Sequence, residues 1–90
     1  MSSTSRVVVY STKHCGFCRR AEDLLEREGI AFDIIDVTHD RHARNTLFER
    51  TNGRRTVPVI FVDDQPIGGY RELAAMVAAG ELNRRLASTA

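Results

Sequence analysis

Ninety residues, 42% of them hydrophobic and 28% charged, are enough for one compact domain with one core and leave no room for a second; residues 1–90 are read as that domain, with 1–5 and about 87–90 as flexible tails. Thirteen basic residues against 12 acidic ones give a formal net charge of +1, too balanced for nucleic acid or an anionic membrane to be the main partner. The polar start Met1-Ser2-Ser3-Thr4-Ser5-Arg6 precedes only the short apolar run Val7–Val9, well below the length of a signal-peptide core, so the chain is expected in the cytoplasm.

Val7 to Ser11 (VVVYS) is β-branched and aromatic and reads as a buried strand, and the next strand-like run is Ala31 to Val37 (AFDIIDV). The segment between them is helical in pattern. Phe17, Ala21, Leu24 and Leu25 fall at i, i+4, i+7 and i+8, the other face is charged, and Gly29 is placed to end the helix. A second helix is expected from Asp40 as N-cap to about Thr51, burying Ala43, Leu47 and Phe48, before the turn signal Asn52-Gly53. Val57 to Val62 reads as an apolar strand, Asp63-Asp64-Gln65-Pro66 as a turn, and Ile67-Gly68 as the start of a returning strand. Two short helices close the chain, Arg71 to Ala79 with Leu73 and Val77 inward and Glu81 to Leu86 with Leu82 and Leu86 inward. The order β-α-β-α-β-β-α-α joins a parallel βαβ unit to a β-hairpin. An α/β architecture of this kind, a four-stranded mixed sheet with helices on both faces, resembles the thioredoxin fold.

The chain has two cysteines, Cys15 and Cys18. A lasting structural disulfide is not the expected use in a reducing compartment, which leaves catalysis or metal binding. Cys15 falls at the start of the first helix, where unpaired backbone amides and the positive end of the helix dipole favour an anion. A cysteine so placed in a C-x-x-C motif has its pKa lowered from about 8.5 to roughly 3.5–7.5, and Lys13 and His14 add to the effect. Cys18, one turn on, is near enough to attack a mixed disulfide on Cys15 and is expected to be covered by the fold. The competing use of this spacing is half of a zinc site. It needs further ligands, and His14, His39 and His42 lack the paired spacing of a zinc module, so no resident metal is expected.

Three separated segments together resemble glutaredoxins over nearly the whole chain: Tyr10-Ser11-Thr12-Lys13-His14-Cys15-Gly16-Phe17-Cys18, Arg55-Thr56-Val57-Pro58-Val59-Ile60-Phe61, and Ile67-Gly68-Gly69-Tyr70. The resemblance implies a cis Val57-Pro58 bond facing the nucleophile, with the Val57 backbone pairing with the cysteinyl part of glutathione. It also implies that Gly69 and the amides of Tyr70 and Arg71 receive the γ-glutamyl carboxylate, and that Lys13, Arg54 and Arg55 are available to the glycine carboxylate. Phe17, Thr56 and Pro58 complete the implied glutathione contacts. The chain departs from the common pattern at three places. Gly16 and Phe17 replace Pro and Tyr between the cysteines; Thr12 stands where many relatives carry a lysine; and Arg71 stands where an acidic or hydroxyl residue often meets the glutathione amino group.

The activity implied is reduction of glutathione mixed disulfides and protein disulfides, Cys15 acting as nucleophile and Cys18 as resolving thiol, with glutathione as electron donor and no tightly bound cofactor. Glutathionylated or disulfide-containing proteins would be the partners, and the chain would be a monomer. Two alternatives stand beside it. One is a mycoredoxin-like protein served by another thiol, or a redoxin served by thioredoxin reductase. The other is a carrier in which Cys15 of two copies and two glutathiones hold a [2Fe-2S] cluster, as in glycine-containing relatives, the chain being dimeric only in that case.

Overall fold

The computed structural model describes residues 5–54 and 56–87. Its elements run β1 (Val7–Ser11), α1 (Gly16–Arg27), β2 (Asp33–Asp36), α2 (Arg41–Arg50), β3 (Val59–Val62), β4 (Gln65–Gly68), α3 (Tyr70–Ala78) and α4 (Glu81–Ala87), the order expected from the sequence. The tails expected at 1–5 and 87–90 lie outside the described residues except for Ser5, whose amide donates to Asp33 Oδ2 at 3.3 Å, and Ala87, the last residue of α4.

The four strands form one mixed sheet in the order β2-β1-β3-β4. β1 runs parallel to β2, with Val9 opposite Ile34; β1 and β3, and β3 and β4, are antiparallel. The side-chain period of two sorts the central strands between two cores. Val7, Val9, Ile60 and Val62 face Ala21 and Leu25 of α1, Leu73 of α3 and Leu82 of α4. Val8, Tyr10, Val59 and Phe61 face the other way, toward Val37 and toward Leu47 of α2. Helices cover both faces, so the runs VVVY and VIFV carry no polar alternation, and each side chain buried this way contributes about 1.5–3 kcal/mol.

Several expectations need correction. The hairpin turn is the two residues Asp63 and Asp64, with φ of 50° and 67°, as a tight primed turn demands, and β4 already starts at Gln65. Pro66 signals an edge strand rather than a turn, since an edge strand needs no amide on its open side; one extra β4 residue bulges between the Ile60–Gly68 and Phe61–Pro66 pairs. β2 is shorter than 31–37, and β3 begins only after Pro58. Phe17 and Phe48 were expected inward, yet both are exposed. α2 touches the sheet mainly through Leu47, and Phe17, next to the buried Cys18 and one turn before the buried Ala21, sits on the rim of the site described below. Two ion pairs hold the β3–β4 turn, Arg6–Asp63 at 2.6 Å and Arg50–Asp64 at 3.1 Å. Arg6 also donates to the carbonyls of Leu86 and Arg85 at the end of α4.

Candidate functional site

β1 delivers the chain to the site through a loop that is tied down at one end. The Lys13 amide donates to Thr38 Oγ1 at 2.8 Å, and the Thr38 hydroxyl and amide both donate to Asp36 Oδ1. Those two bonds, the hydroxyl's foremost, hold the Asp36 carboxyl below the usual carboxylate range, with the charges of Lys13 and His39 helping. His14 then takes a left-handed conformation, φ 59°, uncommon for a residue with a side chain, and turns the chain into α1.

Cys15 is the N-cap of α1, in extended conformation. Its Sγ accepts the Cys18 amide at 3.1 Å and lies 3.9 Å from the Val57 carbonyl oxygen. Cys15 is half-buried, Cys18 only 2% exposed. The two sulfurs are joined as a disulfide across a Cα–Cα distance of 5.2 Å. The outer sulfur therefore sits at a helix N-terminus and the inner one beneath it, an asymmetry that the three-residue spacing and the apolar face of α1 together create.

From Val57 a groove of about 480 Å³ opens away from the disulfide, a size within the range of small-ligand sites. Its walls are Phe17 of α1, Arg54 and Thr56–Pro58 of the loop before β3, and Gly69–Glu72 at the start of α3. The Val57-Pro58 peptide is cis, as expected. The rings of Phe17 and Tyr70 lie 6.0 Å apart, and the Arg20 guanidinium stands 5.3 Å over the Phe17 ring. A smaller hollow of about 300 Å³ shares Arg54, Thr56 and Val57 and continues to Arg44 and Phe48 of α2.

Of the residues singled out in the sequence, Phe17, Thr56, Val57, Pro58, Gly69, Tyr70 and Arg71 all meet in this groove beside Cys15. Lys13 is exposed and is not among the lining residues. Arg55 lies outside the described residues. What sequence reading missed is Glu72. Its Oε1 accepts the Gly69 amide at 2.7 Å and pairs with Arg54 Nη2 at 3.7 Å. The Gly69 amide first, then its own amide, and the charges of Arg54 and Arg71 hold the Glu72 carboxyl below its ordinary range. The signal was present as Gly69-x-x-Glu72, one arm of a capping box, with glycine unable to supply the other. A side chain at either glycine would displace a neighbour, and Gly68 also needs its positive φ. A β-carbon on Gly68, at φ 121°, would sit 2.7 Å from Glu72 Cγ, and one on Gly69 would collide with Arg54 Nη2. Arg54 thus crosses directly over Gly69, its Nε buried without a hydrogen-bond partner.

Among the described residues no three His, Cys, Asp or Glu side chains gather in a metal-holding group, and no helix is long and apolar enough to cross a membrane.

Comparison with known proteins agrees with this geometry. A glutaredoxin family model matches residues 7–67. The chain is 39% identical over 88 residues to the probable glutaredoxin ssr2061 of Synechocystis sp., covering 98% of this chain and 100% of that protein. It is 37% identical over 79 residues to glutaredoxin 3 of Escherichia coli, covering 88% of this chain and 94% of that one. Among solved structures, the buckwheat glutaredoxin–glutathione complex superposes with a TM-score of 0.80 at 26% identity, covering 90% of this chain and 76% of that one. The solution structure of glutaredoxin from Brucella melitensis gives 0.78 at 35% identity, covering 92% and 89%.

Proposed function

The chain belongs to the glutaredoxin family of thiol-disulfide oxidoreductases, and we propose that it reduces glutathione mixed disulfides through Cys15 and protein disulfides through Cys15 and Cys18 together. One observation carries the reading. The outer, half-buried member of the cysteine pair caps α1, accepts the Cys18 amide at 3.1 Å and stands 3.9 Å from the Val57 carbonyl at the mouth of the groove.

In the monothiol route, the Cys15 thiolate attacks the glutathionyl sulfur of a mixed disulfide. A Cys15–glutathione disulfide forms as the original S–S bond breaks, and the partner leaves as a thiolate that takes a proton from water. A second glutathione thiolate then attacks the glutathionyl sulfur, releasing Cys15 thiolate and glutathione disulfide. With a protein disulfide, Cys18 attacks the Cys15 sulfur of the enzyme–protein mixed disulfide, expelling the second protein thiol and closing Cys15–Cys18. A Cys15–Cys18 disulfide such as the one seen here is what that step leaves.

The groove supports glutathione as the thiol. The backbone at Val57, beside the cis Pro58, offers edge hydrogen bonds to the cysteinyl unit. Phe17 and Tyr70 give an apolar wall, Thr56 and Gly69 line the passage, and the amides of Tyr70 and Arg71 at the N-terminus of α3 suit a carboxylate. Lys13, two residues before Cys15, has the reach to meet the glycine carboxylate from outside. We place the enzyme in the cytoplasm, where a cysteine pair that works rather than staples belongs. The test is turnover of a glutathionylated peptide with glutathione and glutathione reductase, set beside mycothiol and thioredoxin reductase systems. Turnover with glutathione is expected; turnover with only one of the others would replace the proposed donor.

A further inference from the structure

Resting on the reading of Cys15 as the nucleophile, we infer that Asp36, acting through Thr38, is a positioning residue for that sulfur. The segment that carries β1 into α1 touches the end of β2 at two successive points. The Val37 amide donates to the Ser11 carbonyl at 2.8 Å, next to the parallel pair Ser11–Asp36. Two residues further along, the Lys13 amide donates to Thr38 Oγ1 at 2.8 Å. That hydroxyl has a single proton, and Asp36 Oδ1 accepts it, so the lone pairs of the oxygen are left to Lys13. The Thr38 amide donates to the same Oδ1 at 2.8 Å and fixes the carboxylate in turn.

This chain of hydrogen bonds ends at a strained corner. His14, the next residue, has φ 59°, and a residue with a side chain keeps such a conformation only where its surroundings impose it. On one side of His14 stands α1, capped by Cys15 itself; on the other stands Lys13, held by Thr38. Once Lys13 is released, the corner can relax to an ordinary conformation. Cys15 then loses its fixed place at the helix end, where Sγ accepts the Cys18 amide at 3.1 Å, and with it the setting that favours a thiolate. Asp36 thus assists the sulfur by geometry alone, since its own negative charge acts the other way and disfavours a nearby thiolate.

The experiment reads the pH midpoint of Cys15 alkylation by iodoacetamide in the reduced chain, for the parent and for Thr38→Val, Thr38→Ser and Asp36→Ala, with urea midpoints measured alongside. Thr38 is half-buried and Asp36 exposed, so the variants keep the fold. Thr38→Val, close to threonine in shape but without the hydroxyl, is expected to raise the Cys15 midpoint by about half a unit or more, the scale of one net hydrogen bond. Thr38→Ser, which keeps the hydroxyl, should stay with the parent. Asp36→Ala should raise the midpoint too, whereas loss of the charge alone would lower it. A Cys15 midpoint unmoved in Thr38→Val whatever its urea midpoint, displaced as far in Thr38→Ser, or unmoved or lowered in Asp36→Ala overturns the positioning role while leaving the proposed function intact. A parent midpoint at or above the free-thiol value of about 8.5 overturns both.

Discussion

A cysteine attacks a disulfide as thiolate, so what surrounds Cys15 Sγ decides what the pair can do. The sulfur accepts the Cys18 amide at the positive end of α1, both favouring an anion, whereas Cys18 Sγ lies beneath it in the apolar layer with Ala21 and Leu25. Once the disulfide is reduced, Cys15 is expected to ionise below the ordinary thiol range and Cys18 to stay protonated. The pH dependence of iodoacetamide alkylation, followed by peptide mass, checks this. Cys15 should be modified first, with a midpoint below the free-thiol value of about 8.5. Initial modification at Cys18, or a midpoint at or above that value, contradicts it.

At the scale of elements, two junctions matter, one at the site and one at the opposite end of the sheet. The first is the β4–α3 corner, where Gly68 adopts φ 121° against Glu72 and Gly69 lies under Arg54. Gly68→Ala forces both a strained backbone and displacement of Glu72 from the Gly69 amide, and should cost about 1–3 kcal/mol. Gly69→Ala should cost less, because Arg54 can swing aside at the loss of its pairing with Glu72. Urea midpoints of the two variants measure the order, and equal stability of Gly68→Ala and parent would show that the corner is not rigid. The second junction is the β3–β4 turn, pinned to the start of β1 by Arg6. The hydrogen bond from Arg6, with its charge, holds the Asp63 carboxyl below the ordinary range. A lowered folded-state pKa contributes stability that is complete above the unfolded value of about 3.9 and is lost as pH falls through the folded value. Asp63→Asn, which tolerates the positive φ of the turn, should therefore be less stable than the parent at neutral pH. The difference should vanish well below the aspartate range; one that persists there would assign the effect to the turn instead.

For the molecule as a whole, the parts readable in the sequence were those in which local chemistry and global fold agree. The apolar runs of β1 and β3, the cysteines at a helix start, the Thr56-Val57-Pro58 segment and the Gly68-Gly69 pair each have one physical use in this topology. The rest depended on tertiary context. Apolar spacing could not say that Phe17 lines a groove while Leu25 enters the core, because both lie on one stripe of α1. Pro66 looked like a turn residue because its place on an edge strand is a property of the sheet. Glu72 was not singled out, Arg54 was linked only to a ligand carboxylate, and only the crossing of the loop before β3 over α3 brings the two to 3.7 Å.

The central claim is a division of labour between two sulfurs on one small fold, and it is tested most directly by turnover of a glutathionylated protein with Cys15→Ser and Cys18→Ser variants, combined with mass measurement of the trapped enzyme. Cys15→Ser should be inactive and carry no adduct. Cys18→Ser should retain turnover and carry one glutathione on Cys15, while losing reduction of protein disulfides that need the second thiol. Equal loss in both variants on the glutathionylated substrate, or an adduct on Cys18 in Cys15→Ser that supports turnover, would contradict it.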